Sequence, residues 1–206
     1  MIAPEHRPRV VILLSGAGTT MAPVLAAAAG ETFGAVVAAV GSDRPSAPGL
    51  DLAAEQGVAT FVVNATEYPD RVAWSAALAD AVAGYHPDLV LCAGLMRILD
   101  PLFLDRFPGR VVNSHPSLLP AFPGAVAVSD ALAYGVRITG ATLHLVDAGV
   151  DTGPIIAQVP VPVLADDDES TLHERIKTAE RQMLLDLIPR LAAGELTIDG
   201  RRVTLP

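Results

Sequence analysis

The chain contains little of what marks a secreted or membrane-embedded protein. Its 206 residues include one cysteine, Cys92, which excludes an internal disulfide framework and any zinc site built from several cysteines. No uninterrupted apolar run approaches the roughly 18 residues that a membrane helix requires. Cys92 lies in the apolar segment PDLVLCAG, so we expect a buried, small hydrophobic side chain rather than a nucleophile.

Basic residues are also scarce. Lys and Arg number 14 against 23 Asp and Glu, and the formal net charge of -9 disfavours general binding to nucleic-acid backbones. The first residues, MIAPEHRPRVV, have neither the basic segment nor the apolar stretch of an export signal. We therefore predict a cytoplasmic protein whose partners are small molecules, with no nucleic acid and no membrane among them. A homodimer is compatible with the sequence.

What is present is a regular alternation of strand and helix patterns. Short apolar strands alternate with helical segments through about the first 145 residues. This order predicts a single α/β domain over residues 1–206, with a mainly parallel, twisted, Rossmann-like sheet and helices on both faces. The runs ITGATLHLVDA and PIIAQVPVPV follow without a long helix between them and predict antiparallel strands in the C-terminal part. Ligands of such sheets gather outside the carboxyl ends of the strands.

The last long helix is predicted over about residues 170–193. Thr171 and Glu174 have the spacing of a capping box at its start, and a glycine follows its end. Glu180 falls inside the apolar stripe of this helix, where a carboxylate requires a polar partner. Beyond the helix, the Asp-Gly pair at residues 199–200 stands between two alternating runs and predicts a β-hairpin.

A glycine-containing loop follows the first predicted strand. In LLSGAGTTM, Gly16 and Gly18 allow backbone amides to face an anion, and the start of the following helix adds a favourable dipole. The segment lacks the third glycine of a dinucleotide fingerprint and the lysine of a P-loop. The alternative is a glycine turn that only connects two elements.

The segment RVVNSHPSLLPAFPG ends another predicted strand with polar side chains. Asn113 and His115 lie two residues apart, so both project from the same face where the strand leaves the sheet. An imidazole titrates near pH ~6.5 when unperturbed, and a nearby carboxylate holds it in its charged form at neutral pH. His144, in the strand ATLHLVD, is as compatible with a structural role as with a site, whereas His6 and His86 are expected to be solvated. No histidine pair has the spacing of metal ligands, so we expect no metal.

The segment HLVDAGVDTGPII offers a carboxylate for this pair. Asp147 and Asp151 lie in a glycine-containing loop between the two predicted antiparallel strands. Aspartate and glycine are common loop residues, which is the simpler interpretation. If the loop folds beside the end of the VVNSH strand, then Asn, His and Asp would form an oxyanion donor, a general acid and its orienting base.

Taken together, these segments resemble the formyltransferases that use 10-formyltetrahydrofolate, and within them the branch that formylates glycinamide ribonucleotide in purine synthesis. The resemblance covers nearly the whole chain and rests on LLSGAGTTM, GLMRILDP, VVNSHPSLLPAFPG and GATLHLVDAGVDTGPIIAQ, in that order. It implies transfer of the formyl group from 10-formyltetrahydrofolate, as co-substrate, to the amine of glycinamide ribonucleotide without a metal. It also implies a nucleotide-binding half over residues 1–105 and a catalytic, folate-contacting half over residues 106–206.

The resemblance assigns roles to particular positions of this chain. It implies that Asn113 and protonated His115 hold a tetrahedral oxyanion, while Asp151 favours the charged form of His115 and helps to move protons through water. The implied site for glycinamide ribonucleotide consists of Gly18, Thr19, Thr20, Lys177 and Glu180. Its glycine loop would bind phosphate through main-chain groups, and its carboxylate would bind ribose hydroxyls. The implied folate site consists of Arg71, Met96, Arg97, Ile98, Leu99, Asn113 and Asp147, with the loop 147–151 closing over the pterin.

Two positions depart from the family pattern. After FPG the family usually has a histidine, where this chain has Val126, and often a basic residue shortly afterwards, where it has Ser129. We therefore expect a polar contact to the aspartate or to the substrate to be missing. The expected consequence is a change in rate rather than in the reaction.

Three alternatives stay open at this point. A related formyltransferase would act on another amine, such as a nucleotide-linked amino sugar or methionyl-tRNA, although the tRNA enzymes carry an extra C-terminal domain. A formyltetrahydrofolate hydrolase shares the same three catalytic residues but normally carries an N-terminal regulatory domain. A non-catalytic nucleotide- or folate-binding protein with this fold is supported only by Val126 and Ser129.

Overall fold

The computed structural model describes residues 7–205, and one seven-stranded sheet forms its centre. His6 lies outside the described residues. In chain order the elements are β1 (Arg9–Leu14), α1 (Ala22–Ala28), β2 (Val36–Ser42), α2 (Pro48–Glu55), β3 (Thr60–Val62), α3 (Arg71–Ala83), β4 (Leu89–Cys92), α4 (Pro101–Arg106), β5 (Val111–His115), α5 (Ala127–Tyr134), β6 (Ile138–Leu145), β7 (Ile155–Pro162), α6 (Glu169–Ala192), β8 (Thr197–Asp199) and β9 (Arg202–Thr204). Single 3-10 turns cover Glu31–Phe33 and Ala65–Glu67.

The strands are ordered β3-β2-β1-β4-β5-β6-β7 across the sheet. Strands β1 to β5 are parallel, β6 runs antiparallel to β5, and β7 runs antiparallel to β6. The predicted fold class and the predicted antiparallel pair are therefore confirmed. Chain order reverses between β1 and β4, and a crevice for ligands forms at such a point. The predicted boundary between the two functional halves, at residue 105, falls between β4 and β5. These strands are hydrogen-bonded neighbours in one sheet, so the division into halves stays a prediction.

Two apolar clusters cover the two faces of the sheet. Val10, Ile12 and Leu14 of β1 pack with α1, α2, α5 and α6, whereas Val11 and Leu13 pack with α3 and α4. All five side chains are fully buried. Successive residues of a strand point to opposite faces, so a strand covered on both sides must be apolar throughout. In the described part of the chain, no helix is both long and apolar enough to cross a bilayer.

The N-cap of α6 lies one turn earlier than predicted, although the helix itself begins within one residue of the predicted start. The helix begins at Glu169 with Asp168 as its N-cap, so the capping box predicted from Thr171 and Glu174 is wrong. The Asp168 carboxylate accepts the Thr171 backbone N–H at 2.8 Å, and the Thr171 hydroxyl accepts the Asp168 backbone N–H at 2.9 Å. An aspartate caps a helix as well as a threonine does, and threonine closes the reciprocal bond here in place of glutamate. Glu174 instead forms an ion pair with Lys177 at 2.7 Å.

A short helix, α5, was not predicted. It spans eight residues directly after the segment FPGAV, and Val126 at its N-cap makes no side-chain capping bond. Gly135 ends it with φ at 80°, a left-handed conformation that glycine adopts without strain. The usual sequence signals of a helix are a capping residue before it and a glycine after it. This segment has the glycine but not the capping residue.

Two predictions of local structure are confirmed. Strands β8 and β9 pair antiparallel around the Asp199-Gly200 turn, with Gly200 at a φ of 57°. Cys92 is buried, and burial raises the pKa of its thiol to about 12. A thiol with that pKa stays protonated at neutral pH and is a poor nucleophile.

The observed cap of α6 predicts which carboxylate stabilises this helix. Replacing Asp168 by Ala leaves the Thr171 amide without its acceptor and should measurably lower the free energy of unfolding. Urea unfolding followed by circular dichroism measures this difference. Asp166→Ala, an exposed aspartate two residues earlier, is the matched control and should change stability by less than about 0.5 kcal/mol. Equal losses in the two variants would contradict the assignment of Asp168 as the cap.

Candidate active site

A cavity of about 550 Å³ opens at the carboxyl ends of β1, β4 and β5. Every predicted site residue lines it except Arg71. The lining includes Gly18, Thr19, Thr20, Met96, Arg97, Ile98, Leu99, Asn113, His115, Asp147, Asp151, Lys177 and Glu180. One cavity thus holds the three groups that the sequence suggests for acid-base chemistry together with both predicted ligand sites.

Asp151 lies between Asn113 and His115. Its Oδ1 is 3.4 Å from Asn113 Nδ2, and its Oδ2 is 3.4 Å from His115 Nδ1. The loop between β6 and β7 folds back over the end of β5 to bring the carboxylate there. Gly153 permits this return, because a Cβ at that position would lie 1.8 Å from the carbonyl oxygen of Leu145.

His115 is held by the proline-containing loop that follows its own strand. Its Nε2 lies 2.8 Å from the carbonyl oxygen of Phe122, and since a carbonyl only accepts, Nε2 carries a proton. The same loop donates the Gly124 backbone N–H to Asp151 Oδ2 at 2.8 Å. The imidazole is 4% exposed. The chain that leaves β5 therefore fixes both members of the His115–Asp151 pair through main-chain groups.

His144 is the part of this site that sequence reasoning left undecided. It stands directly opposite Asn113 in the antiparallel register of β5 and β6. Its Nδ1 donates to the Leu145 carbonyl at 2.8 Å, which leaves Nε2 facing Asn113 Nδ2 at 3.1 Å and Asp151 Oδ1 at 3.5 Å. A single ring nitrogen accepts from the Asn113 amide or, when protonated, donates to the Asp151 carboxylate, so Nε2 serves one of these two partners at a time. This contact follows from the antiparallel pairing of β5 with β6, which the sequence pattern did not predict.

These neighbours act on the ionisation of Asp151. The His144 side chain, the Gly124 amide and the positive charge on His115 lower the pKa of Asp151 to about 2, although burial opposes them. The carboxylate is therefore ionised at neutral pH. A fixed negative charge therefore stands beside the His115 ring.

Glu180 has the partners that its place in an apolar stripe demanded. The side chain is 5% exposed, its Oε1 accepts the Ser114 hydroxyl at 2.6 Å, and its Oε2 accepts the Thr20 hydroxyl at 3.0 Å. The prediction of a polar partner is confirmed. These bonds join α6 to the end of β5 and to the loop after β1.

The loop after β1 has the tight geometry that its glycine predicts. Gly18 has a φ of 71°, and a Cβ there would lie 2.9 Å from Met21 Cε and 3.1 Å from Gly49 Cα. No larger residue fits without displacing these atoms. Lys177 faces the same end of the cavity, one turn before Glu180 on α6, with its ammonium group paired to Glu174.

The predicted folate residues divide into two groups. Met96 to Leu99 form the loop after β4, and this loop is anchored to the loop after β1 by the Met96 N–H, which the Ser15 hydroxyl accepts at 2.8 Å. Met96 and Ile98 are exposed at the cavity. Arg71 does not line the cavity: it begins α3 and forms an ion pair with Asp100 at 3.5 Å. Its assignment to the folate site stays a prediction without a contact in this structure.

The remaining predicted positions shape the site from its edge. Asp147 accepts the Gly149 N–H at 3.1 Å and the Thr152 hydroxyl at 2.6 Å, so it organises the loop that carries Asp151. Val126 and Ser129 are both exposed. Among residues 7–205, no group of three or more His, Cys, Asp or Glu side chains is placed to hold a metal ion.

Comparisons with known proteins agree with this geometry. Residues 8–188 match the family model described as formyl transferase. The chain is 52% identical over 204 residues to the phosphoribosylglycinamide formyltransferase of Mycobacterium tuberculosis, covering 99% of this chain and 94% of the relative. It is 35% identical to the Escherichia coli protein of the same name, covering 94% of this chain and 95% of that one.

Solved structures give the same answer. The glycinamide ribonucleotide transformylase 1 of Symbiobacterium toebii superposes with a TM-score of 0.95 at 42% sequence identity, over 100% of this chain and 97% of the other. A match of this quality extends the similarity from the sequence to the whole arrangement of strands and helices. The chain therefore belongs to the formyl transferase family.

Proposed function

We propose that this protein transfers the formyl group of 10-formyltetrahydrofolate to the amine of glycinamide ribonucleotide, as a step of purine synthesis. The observation that carries the proposal is the placement of Asp151 between Asn113 and His115, in the cavity that Glu180 also lines. The names of the relatives support the choice of acceptor. The family membership argues against a binding protein that has lost catalysis, and the names of the relatives favour a transferase over a hydrolase.

The chemistry follows from these groups. The acceptor amine attacks the formyl carbon, and the carbonyl oxygen becomes a tetrahedral oxyanion that the Asn113 amide and the His115 imidazolium stabilise. Asp151 takes the proton that the attacking nitrogen loses, directly or through water. The intermediate then collapses: the bond between the formyl carbon and N10 of the folate breaks, and N10 takes a proton from His115 to give tetrahydrofolate. The proton on Asp151 then passes to His115, 3.4 Å away, which restores both groups.

The distances within the trio suit groups that act on a substrate. Asp151 lies 3.4 Å from both Asn113 Nδ2 and His115 Nδ1, longer than the roughly 2.7–2.9 Å of a charge-assisted hydrogen bond. Catalytic hydrogen bonds are often long without substrate and tighten around it. Asp151 thus orients Asn113 and His115, while Asn113 Nδ2 and His115 Nδ1 can still donate hydrogen bonds to an oxyanion.

The other end of the cavity fits a nucleotide. Glu180 offers carboxylate oxygens that ribose hydroxyls would share with Ser114 and Thr20, and Lys177 with the loop 18–20 would face the phosphate. All of these groups come from one chain. The cytoplasmic location and the homodimer stay predictions.

The first experiment measures formyl transfer directly. Consumption of 10-formyltetrahydrofolate should depend on added glycinamide ribonucleotide, and formylated glycinamide ribonucleotide should appear in equal amount, as followed by absorbance and mass spectrometry. The amino-sugar nucleotide and an acceptor-free reaction are the controls. Folate consumption without acceptor would instead identify a hydrolase, and transfer to the amino sugar alone would move the assignment to another amine.

Asp151 should be required for turnover. Asp151→Asn removes the base and the charge beside His115, and we expect kcat to fall by about 10²- to 10⁴-fold. Asp130→Asn, an exposed aspartate on α5, is the matched control and should retain the wild-type kcat. A kcat within about threefold of wild type in Asp151→Asn would remove Asp151 from the mechanism.

A second measurement on the same variant tests the ionisation of Asp151. Its pKa in the folded protein, about 2, lies below its ordinary value of 3.8, so the ionised group stabilises the fold above pH 3.8. That contribution is lost as the pH falls from 3.8 toward 2, when the carboxylate takes up a proton. Unfolding followed against pH should show this loss in the wild type and a smaller loss in Asp151→Asn.

Glu180 should set the affinity for the acceptor. Glu180→Gln keeps the size of the side chain but removes the charge, and we expect the KM for glycinamide ribonucleotide to rise about tenfold or more. The KM for the folate should stay within about twofold. Glu169→Gln, in the exposed first turn of α6, is the control and should change neither constant. Equal increases in both KM values would indicate a general disturbance of the cavity instead.

A further inference from the structure

A second buried carboxylate lies at the edge of the cavity, on Asp43. It directly follows β2, and its side chain is fully buried. Its Oδ2 accepts the Nε–H of Arg97 at 3.0 Å. Its Oδ1 has no hydrogen-bond partner in the described part of the chain. The family resemblance assigned no role to Asp43.

Stability does not explain this residue. Taking a carboxylate out of water is costly, and the attraction of a partner compensates only when the geometry satisfies the whole group. Here one oxygen stays unsatisfied, and the partner Arg97 is 43% exposed, so solvent screens the pair. An uncharged residue of similar size would fill the position at least as well. The contact with Arg97 is what distinguishes Asp43 from such a residue.

Arg97 reaches the cavity with part of its guanidinium uncommitted. The side chain lines the cavity, and its Nε is taken by Asp43. The structure shows no acceptor within residues 7–205 for its two Nη groups. A guanidinium is planar, so a bond at Nε also fixes the plane in which the Nη donors lie. Two such donors match the two oxygens of a carboxylate.

Both ends of this contact are anchored to the backbone. The Asp43 carbonyl accepts the Ala65 N–H at 3.3 Å, and the Ser42 hydroxyl accepts the Arg44 N–H at 3.1 Å. The loop of Arg97 is held at Met96 by its bond to Ser15. Asp43 thus restrains the head of a flexible side chain from a fixed point.

The charges of the cavity make such a cation necessary for an anionic ligand. Asp147, Asp151 and Glu180 all line it and repel a carboxylate. Of the Lys and Arg residues, Arg97 and Lys177 line it, and Lys177 is already paired with Glu174 at 2.7 Å. Of these two lining cations, Arg97 is therefore the one whose Nη groups are available to bind a carboxylate.

We propose that Asp43 is a positioning residue, which holds Arg97 through Nε so that both Nη groups bind a carboxylate of the folate co-substrate's glutamate tail. The inference rests on the proposed function, because the tail is a feature of that co-substrate. Asp43 itself touches no substrate. Its effect passes through Arg97 and should appear in folate affinity and not in the chemical step.

The test compares two folate ligands with and without the tail. We would measure the binding of folic acid and of pteroic acid, which lacks the glutamate, by calorimetry to the wild type, Asp43→Asn, Arg97→Lys and Arg97→Ala. Asp43→Asn should bind folic acid about tenfold more weakly while the affinity for pteroic acid changes by less than twofold. Arg97→Lys keeps the charge but loses the fork and should show the same selective loss.

Arg44 provides the matched control. Its Nε lies 3.8 Å from the same Oδ2 of Asp43, its side chain is 56% exposed, and it does not line the cavity. Arg44→Ala should bind both ligands as the wild type does. In an Arg97→Ala background, Asp43→Asn should have no further effect on folic acid binding, because the group that it positions is gone.

Several outcomes would overturn the proposal. Equal losses for folic and pteroic acid, a full additional effect of Asp43→Asn in Arg97→Ala, or unchanged binding in Arg97→Lys would each show that Asp43 does not act through an Arg97 fork. If Asp43→Asn fails to fold, Arg97→Lys and Arg97→Ala decide the question. Failure of the proposed function looks different: the wild type would then transfer no formyl group to glycinamide ribonucleotide, whatever its affinities for folic and pteroic acid.

Discussion

The arrangement of the site depends on the register between β5 and β6. Because β6 runs antiparallel to β5, His144 stands opposite Asn113, and the loop after β6 must turn back across the sheet to enter β7. That return carries Asp151 to the pair formed by Asn113 and His115. A parallel β6 would have required a crossover connection and would have placed this loop at a different edge. One antiparallel strand therefore gives an otherwise parallel sheet a site with a fixed carboxylate.

Much of this could be predicted from the sequence because its signals were local. The spacing of Asn113 and His115 fixed their common face, and the place of Glu180 in an apolar stripe demanded the partners that Ser114 and Thr20 supply. What escaped prediction depended on contacts between distant segments. The role of His144 follows from a strand pairing, and the position of Arg71 outside the cavity follows from the packing of α3. The shifted cap of α6 has another cause, since two good capping residues stand three apart and local rules do not choose between them.

The buried carboxylates follow a common pattern. Glu180 and Asp43 are buried and Asp151 is largely so, and each lies where an element ends at the cavity or passes beside it. Glu180 has hydroxyl donors on both oxygens, and Asp151 has a backbone amide and two imidazoles around it. Asp43 has a donor on one oxygen alone. A fold selected for stability alone would replace such groups with apolar ones, so their presence marks this edge of the sheet as the part of the molecule that serves ligands.

The loop after β5 explains why the departures at Val126 and Ser129 need not disturb the His115–Asp151 pair. The contact that a histidine was expected to make to the aspartate has a counterpart in the main chain, because the Gly124 N–H already binds Asp151 Oδ2 at 2.8 Å and the Phe122 carbonyl already holds His115. Val126 is 60% exposed and is the N-cap of α5, just beyond these groups. Main-chain contacts do not depend on the side chain at position 126, and they are fixed by the course of the loop itself. The prolines and the left-handed Gly124 in this loop therefore matter more for the His115–Asp151 pair than the identity of the residue that follows it.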